Sequence, residues 1–311
     1  MRCVPYIIDG LDPLRHLAVE NALLDRLTAS VPLLLFYVNG PSVIIGRNQN
    51  PWREIASSST AAWCRRASGG GAVYHDEGNL NWSFIVSRDT HDQDAELASI
   101  ARGVSSCGTK VSPGLRGGIF CDASTGHGGK KISGTARRFG RSSVIHHGTV
   151  LVSTDLDRMR ECLGGIETFD DLGIASVHAS PVNLAALVPG VSVIDVIDAL
   201  SRSVAGTPAS PWPPGMVDAA RLAIEEEVLD SAGWKIGLTP RFSARMQCGT
   251  ETLVVDVKAG IVESIALSAD GARSTADSPI RDAMAGFTGK PFSYILGQEI
   301  ESAIASSGFP P

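Results

Sequence analysis

Apolar residues mark the first element plainly. From Pro13 to Thr28, Leu14, Leu17, Ala18, Leu24 and Leu27 fall on one helical stripe. Asp12 stands as its N-cap, and Pro13 takes the first helical position, where a missing N–H costs nothing. A strand-like start at the N-terminus and strand-sized runs at Leu33–Val38 and Ser42–Ile45 surround this helix. Leu80, Trp82, Phe84 and Val86 alternate with Asn79, Asn81, Ser83 and Ile85, which predicts a mostly buried strand. Leu97, Ile100, Ala101 and Val104 predict a helix over Glu96–Val104; Ile119–Cys121 and Thr149–Val152 read as short strands, and Asp155 opens a helix to Leu163. Val191–Val204 and Asp218–Ser231 read as helices on either side of a proline-rich loop, Thr207–Gly215. After Pro240 the pattern changes to short alternating strands at Phe242–Met246, Thr252–Lys258 and Ile261–Leu267, with a tight turn at Lys258-Ala259-Gly260 and a final helix over Tyr294–Ala305. The prediction is an α+β chain with a large domain over 1–238 and a small C-terminal α+β domain over 239–311.

Composition narrows the partners. With 43% hydrophobic and 19% charged residues the chain has the make-up of a globular protein. A net charge of −6 with no basic tail argues against nucleic acid as the main partner, while leaving room for a local basic pocket. The longest apolar run, Val31–Val38, is strand-sized, so no membrane span is expected, and the start of the chain has neither a signal-peptide core nor a transit stretch. A cytoplasmic protein is expected, or a mitochondrial one if a transit peptide was removed. The six cysteines are scattered, without zinc spacing, and read as reduced thiols.

Three stretches carry chemistry. Arg65-Arg66-Ala67-Ser68-Gly69-Gly70-Gly71-Ala72-Val73-Tyr74-His75-Asp76 sets consecutive glycines beside paired arginines. Such a loop lets backbone N–H groups approach an anion while arginine adds a fork of donors, although a merely flexible turn would also use these glycines. In Gly128-Gly129-Lys130-Lys131-Ile132-Ser133-Gly134, Lys131 stands before small residues, where an ammonium can act as a point charge on a carboxylate or phosphate; Lys130 fits an exposed hairpin tip better. In His146-His147-Gly148-Thr149 the adjacent histidines would face opposite sides of a strand, so this pair is not expected to share a metal; one buried, hydrogen-bonded histidine beside a pocket is the better reading.

Taken in order, these stretches resemble the signatures of the lipoate–protein ligase A and lipoyltransferase family, within the biotin/lipoate protein ligase superfamily. Asp12-Pro13 with Leu17–Glu20, Val43–Trp52, Ile174–Val177 with Val182–Leu184, and Trp234 with Gly237–Ser243 are similar to further family motifs, so the likeness runs through nearly the whole chain. Ile132–Ala136, Gly140-Arg141 and Asn79-Leu80-Asn81 lean toward the mitochondrial lipoyltransferase branch.

The resemblance implies a mixed sheet backed by helices, like biotin protein ligase and the class II synthetase core, followed by the small accessory domain. It implies ATP, Mg²⁺ and lipoate as ligands, with Lys131 as the catalytic lysine contacting both the acyl carboxylate and the α-phosphate. Arg66, Ser68, Gly70, Gly71, Ala72, Val73 and Tyr74 would hold the nucleotide or lipoyl-adenylate. His75, Ser133, Gly134 and His147 would line the same pocket, so Lys131 and the Arg66–Tyr74 loop are expected to border one site. The implied partners are lipoyl-domain acceptors, namely 2-oxoacid dehydrogenase E2 subunits and the glycine cleavage H protein, modified by a monomer.

One departure matters. Many members carry an acid just before the strand leading into the lysine motif, but Gly117-Gly118-Ile119 stands there, and the next acid is Asp122, the one candidate for a metal ligand. The expected reaction is adenylation of lipoate by ATP and transfer to an acceptor lysine. The departure keeps open a lipoyltransferase that uses a preformed activated lipoyl or octanoyl donor. A thioester route would need Cys121 or Cys162, for which a structural thiol is the plainer role. A binding scaffold without turnover is opposed by the intact Lys131 and Arg66.

Overall fold

The computed structural model describes residues 3–24, 31–114, 117–177, 179–268 and 279–306. They form two compact units, one of residues 1–47, 60–160 and 176–231, the other of 48–59, 161–175 and 232–311.

The first unit is built on a six-stranded mixed sheet. Its strands, in spatial order, are Thr135–Phe139, Ser143–Leu151, Asn79–Ser87, Leu33–Val38, Val4–Ile7 and Ser210–Pro211. The first three pairings are antiparallel and the last two parallel. Trp82, Phe84 and Phe36 are completely buried on this sheet, each such side chain contributing roughly 1.5–3 kcal/mol of hydrophobic stabilisation. Two helices, Gln93–Ser106 and Val193–Ala205, share that core through Ile100, Val104, Val196 and Leu200. They pack so closely that a Cβ at Gly103 would come 2.6 Å from Leu200 Cδ2. Two three-stranded sheets complete the unit: Ala62–Arg65, Ser42–Ile45 and Val73–His75, then Val111–Pro113, Ile119–Cys121 and Lys131–Ser133.

The N-terminal helix begins as its capping residues dictate: Asp12 accepts the Leu14 N–H at 2.9 Å and Pro13 opens the helix. It ends earlier than its stripe suggested, at Leu23, because Leu24 turns to extended backbone (φ −62°, ψ 132°). Residues 25–28 of the expected helix lie outside the described residues. The expected Thr149–Val152 strand is the end of a longer one, Ser143–Leu151, whose histidines and serine hide it from an apolar count.

The second unit carries a four-stranded antiparallel sheet ordered Thr168–Phe169, Phe242–Cys248, Glu251–Lys258 and Ile261–Leu267. Ala259 and Gly260, at φ 51° and 77°, make the two-residue turn between the last two strands. Helices Pro279–Ala285 and Leu296–Ser306 follow. This unit takes in more chain than the stretch after residue 238. Trp52 enters its core, 5.6 Å centroid to centroid from Phe242 and 5.2 Å from Phe292, and carries residues 48–59 with it. No helix among the described residues is long and apolar enough to cross a membrane.

Candidate functional site

The glycine loop leaves the Ala62–Arg65 strand and turns back into Val73–His75. Gly70 has φ +88°, which favours glycine, and a Cβ at Gly46 would collide with the Gly70 carbonyl, so two chain segments meet there as bare backbone. Arg66 is buried, and its guanidinium turns onto this backbone: Nη1 donates to Ile44 O (3.1 Å), and Nη2 to Gly69 O (2.6 Å) and Gly71 O (2.8 Å). Its neighbour Arg65 likewise donates to Arg47 O at 2.9 Å. The fork expected to face an anion therefore braces the loop. Burial lowers the Arg66 pKa to about 10, with Glu20 and Tyr37 opposing the fall, so it remains a cation.

A buried hydrogen-bonded line runs from that arginine. Nε donates to Ser68 Oγ (3.0 Å), Ser68 Oγ lies 2.7 Å from His147 Nε2, and His147 Nδ1 lies 2.8 Å from Glu20 Oε2. Tyr37 OH donates to the other oxygen of Glu20 at 2.9 Å. Burial by itself would raise the Glu20 carboxyl, but His147 and the bonds from His147 and Tyr37 hold it below the usual range. The Glu20 carboxylate accepts from His147 Nδ1–H, and the other ring nitrogen, Nε2, meets Ser68 Oγ. Tyr37 is pushed well up by burial and by Glu20, and stays a neutral donor.

His75 is buried on the strand that follows the loop, and its Nδ1 accepts from Asn39 Nδ2 at 2.8 Å. Its proton is therefore on Nε2, which has no hydrogen-bond partner. Burial, with Arg66, His147 and His16 nearby, drives its pKa down to about 3, so the ring is neutral.

Lys131 opens the Lys131–Ser133 strand and is held by its backbone, donating to Ser180 O (2.8 Å) and accepting from Val182 N–H (3.0 Å). Its side chain is half-buried, and Nζ has no partner among the described residues. Burial lowers its pKa with no carboxylate to offset it. A Cβ at Gly134 would stand 3.3 Å from Nζ, so this glycine keeps space open beside the ammonium, while one at Gly118 would meet the Phe120 ring at 2.6 Å and Lys131 Cε at 3.3 Å. Ser133 is buried with an unpartnered Oγ. Gly148 must be glycine, since a Cβ there would come 2.6 Å from both Gly134 O and the Trp82 ring.

The fold joins the lysine stretch to the glycine loop. Ala136 pairs with His147 across two strands, and a Cβ at Gly70 would lie 3.6 Å from Ala136 Cβ. A third segment borders both: Ser176 Oγ accepts the Ala72 N–H at 2.8 Å, and four residues later Ser180 holds Lys131. Tyr74 is buried beyond the loop, while Ala72 and Val73 are half-buried. Asp122 follows the Ile119–Cys121 strand, its exposed carboxylate accepting the Ser124 N–H at 2.9 Å to cap the turn Ala123–Thr125. That bond lowers its pKa. Glu20, Asn39 and Ser176 carry no sign of a site role in the sequence, although Glu20 and Ser176 lie within family-like motifs and Asn39 lies outside them.

The lipoyl protein ligase A/B catalytic domain family matches residues 12–205. Among solved structures, P. falciparum LipL1 in complex with lipoate aligns over 97% of this chain and 99% of its own, at 19% identity and TM-score 0.64. Lipoate-protein ligase A bound with ATP aligns over 76% of this chain and 100% of its own, at 24% identity and TM-score 0.61. The bi-partite lipoate protein ligase from Thermoplasma acidophilum, described with its E2 lipoyl domain, aligns over 76% and 98% at 23% identity and TM-score 0.60. These likenesses establish the fold, a mixed sheet backed by helices, and LipL1 extends it to nearly the full chain. With its glycine loop, lysine strand and histidine strand all inside the matched residues, the chain belongs to the lipoyl protein ligase A/B catalytic domain family.

Proposed function

We propose that this protein is a lipoate–protein ligase that forms lipoyl-AMP from lipoate and ATP and transfers the lipoyl group to a lysine of a lipoyl-domain protein. The observation that carries the reading is the half-buried ammonium of Lys131, unpaired and flanked by Gly118 and Gly134. A desolvated cation without a counter-ion is costly unless an anion arrives to meet it.

In the first step a lipoate carboxylate oxygen attacks the α-phosphorus of ATP. The bond to the β-phosphate oxygen breaks, and pyrophosphate leaves. Lys131 offsets charge as it builds on the carboxylate and α-phosphate. The Gly69–Gly71 backbone, held by Arg66, offers close approach to the nucleotide, and His75 Nε2–H is a neutral donor for the same site. In the second step the acceptor lysine's amine attacks the mixed anhydride carbonyl, the C–O bond to phosphate breaks, and AMP leaves as the amine gives up a proton. Positions 117 and 118 carry no carboxylate, and that of Asp122 is exposed and accepts the Ser124 N–H to cap its own turn. Charge compensation by the chain falls to Lys131. The acceptors in this reading are E2 lipoyl domains and the glycine cleavage H protein.

Gly117-Gly118 favours one second reading, transfer from a preformed lipoyl-adenylate with little activation. The cysteine route has less support, because Cys162 is completely buried and burial raises the Cys121 thiol pKa. The deciding measurement is lipoate-dependent exchange of labelled pyrophosphate into ATP. Exchange supports the ligase; transfer from supplied lipoyl-adenylate without exchange supports the transferase; failure of both refutes each reading.

A further inference from the structure

On the strand Ser143–Leu151, His146 faces away from His147 and meets a different set of groups. Its Nδ1 lies 2.6 Å from Glu96 Oε2. Glu96 Oε1 lies 2.9 Å from His91 Nδ1 and also accepts the Asp92 N–H at 3.2 Å. One ligand atom from each of His91, Glu96 and His146 can be chosen so that all lie within 4.8 Å of one another. Glu96 and His146 are almost wholly buried, and the His91 side chain is 8% exposed. Among the described residues, this is the one group of three or more histidine, cysteine or acidic side chains gathered closely enough to hold a metal ion.

We propose that His91, Glu96 and His146 form a site for a single divalent transition ion of the zinc class. One observation carries this beyond a hydrogen-bonded cluster. Among the described residues the ion-pair partners of Glu96 are the two histidines, with no lysine or arginine beside this buried carboxylate. A dication supplies the missing charge, and two imidazoles with one carboxylate are a recurrent donor set for zinc. Zinc–ligand bonds of about 2.0–2.2 Å in tetrahedral geometry separate ligand atoms by about 3.3–3.5 Å. The two short N···O contacts would therefore open by less than about 1 Å as the N–H protons leave and the ion enters. Water takes the fourth position. The ion would tie residue 91 and the first turn of Gln93–Ser106 to the strand whose next residue, His147, braces the glycine loop.

This proposal is independent of the ligase reading. The test uses the full chain, stripped with chelator, kept reduced and titrated with Zn²⁺ by calorimetry, with Co²⁺ absorption as a ligand probe. Wild type, His91→Ala and Glu96→Gln are compared after circular dichroism confirms folding. The expected result is one equivalent of zinc in wild type, a rise in Tm on binding, a Co²⁺ spectrum without thiolate charge transfer, and binding at least about tenfold weaker in the variants. His91 is the least buried of the three, so His91→Ala carries the test if Glu96→Gln fails to fold. No stoichiometric uptake by wild type, equal affinity in a folded variant, or a thiolate spectrum would overturn the site. The trio would then be a metal-free clasp between helix and strand.

Discussion

Ser68 and His147 meet through a buried 2.7 Å hydrogen bond that ties the glycine loop to the central sheet. Behind His147, Glu20 accepts its Nδ1–H at 2.8 Å and Tyr37 OH at 2.9 Å. Gln at position 20 has one carbonyl for these two donors, and its amide must face one of them. Glu20→Gln is expected to lose about 1–3 kcal/mol of stability in denaturant titrations and to raise KM for ATP. The carboxyl is held below its usual range, so its contribution is present above that range and lost as pH falls through the folded value. The acid limb of the stability curve should therefore flatten in the variant. Unchanged stability with an unchanged acid limb would remove Glu20 from this role.

Lys131→Ala removes the proposed charge partner of the reacting anions. Both pyrophosphate exchange and single-turnover transfer should fall by roughly 10²–10³-fold, about 2.7–4 kcal/mol. The far-ultraviolet circular dichroism should not change, since the ammonium has no structural partner among the described residues. Near-normal lipoylation by a folded variant would contradict the mechanism.

Gly71 adjoins Ser176: a Cβ there would stand 3.0 Å from Ser176 Oγ and 3.3 Å from its Cα. Gly71→Val should push the two segments apart, disturb the Ala72 N–H bond to Ser176, and weaken adenylate binding more than it lowers Tm. Calorimetric binding of a non-hydrolysable lipoyl-adenylate, run beside a thermal melt, separates these effects. A large Tm loss with unchanged affinity would make the loop structural.

His75 carries a pH signature of its own. Its folded pKa of about 3 lies below the ordinary 6.5, so between those values the unfolded chain binds a proton that the folded chain does not. Stability should fall as pH drops through that window, by up to about 1.4 kcal/mol per pH unit. In His75→Gln, where the side-chain oxygen can accept from Asn39, the slope should decrease by about one proton. Denaturant titrations between about pH 4 and 6 read this directly, and an unchanged slope would refute the assignment.

Asp122→Ala should leave both half-reactions within about twofold of wild type, because its exposed carboxylate only caps a turn. Loss of pyrophosphate exchange alone would instead make Asp122 the missing acid.

The chain's local order was legible from sequence wherever the cause is local. Asp12-Pro13 starts a helix through capping and a preset φ, the Asn79–Val86 alternation marks a buried strand, and Ala259-Gly260 makes a turn by adopting positive φ. Motif resemblance pointed to the family and to the loop, lysine and histidine stretches. Tertiary structure decided what those polar groups meet, because their partners come from distant segments. Arg66 reads as an anion fork in sequence, yet Ile44, Gly69 and Gly71 present carbonyls to it once the strands pair. Glu20 lies on a helix that looks ordinary until His147 is packed against it. Trp52 brings residues 48–59 into the core of a unit formed mainly from the C-terminal chain, a choice made by ring packing against Phe242 and Phe292. The strand's alternation separates His146 from His147, and the fold gives one of them Glu96 and the other Glu20, since side-chain direction is a local property and the identity of the neighbour is not.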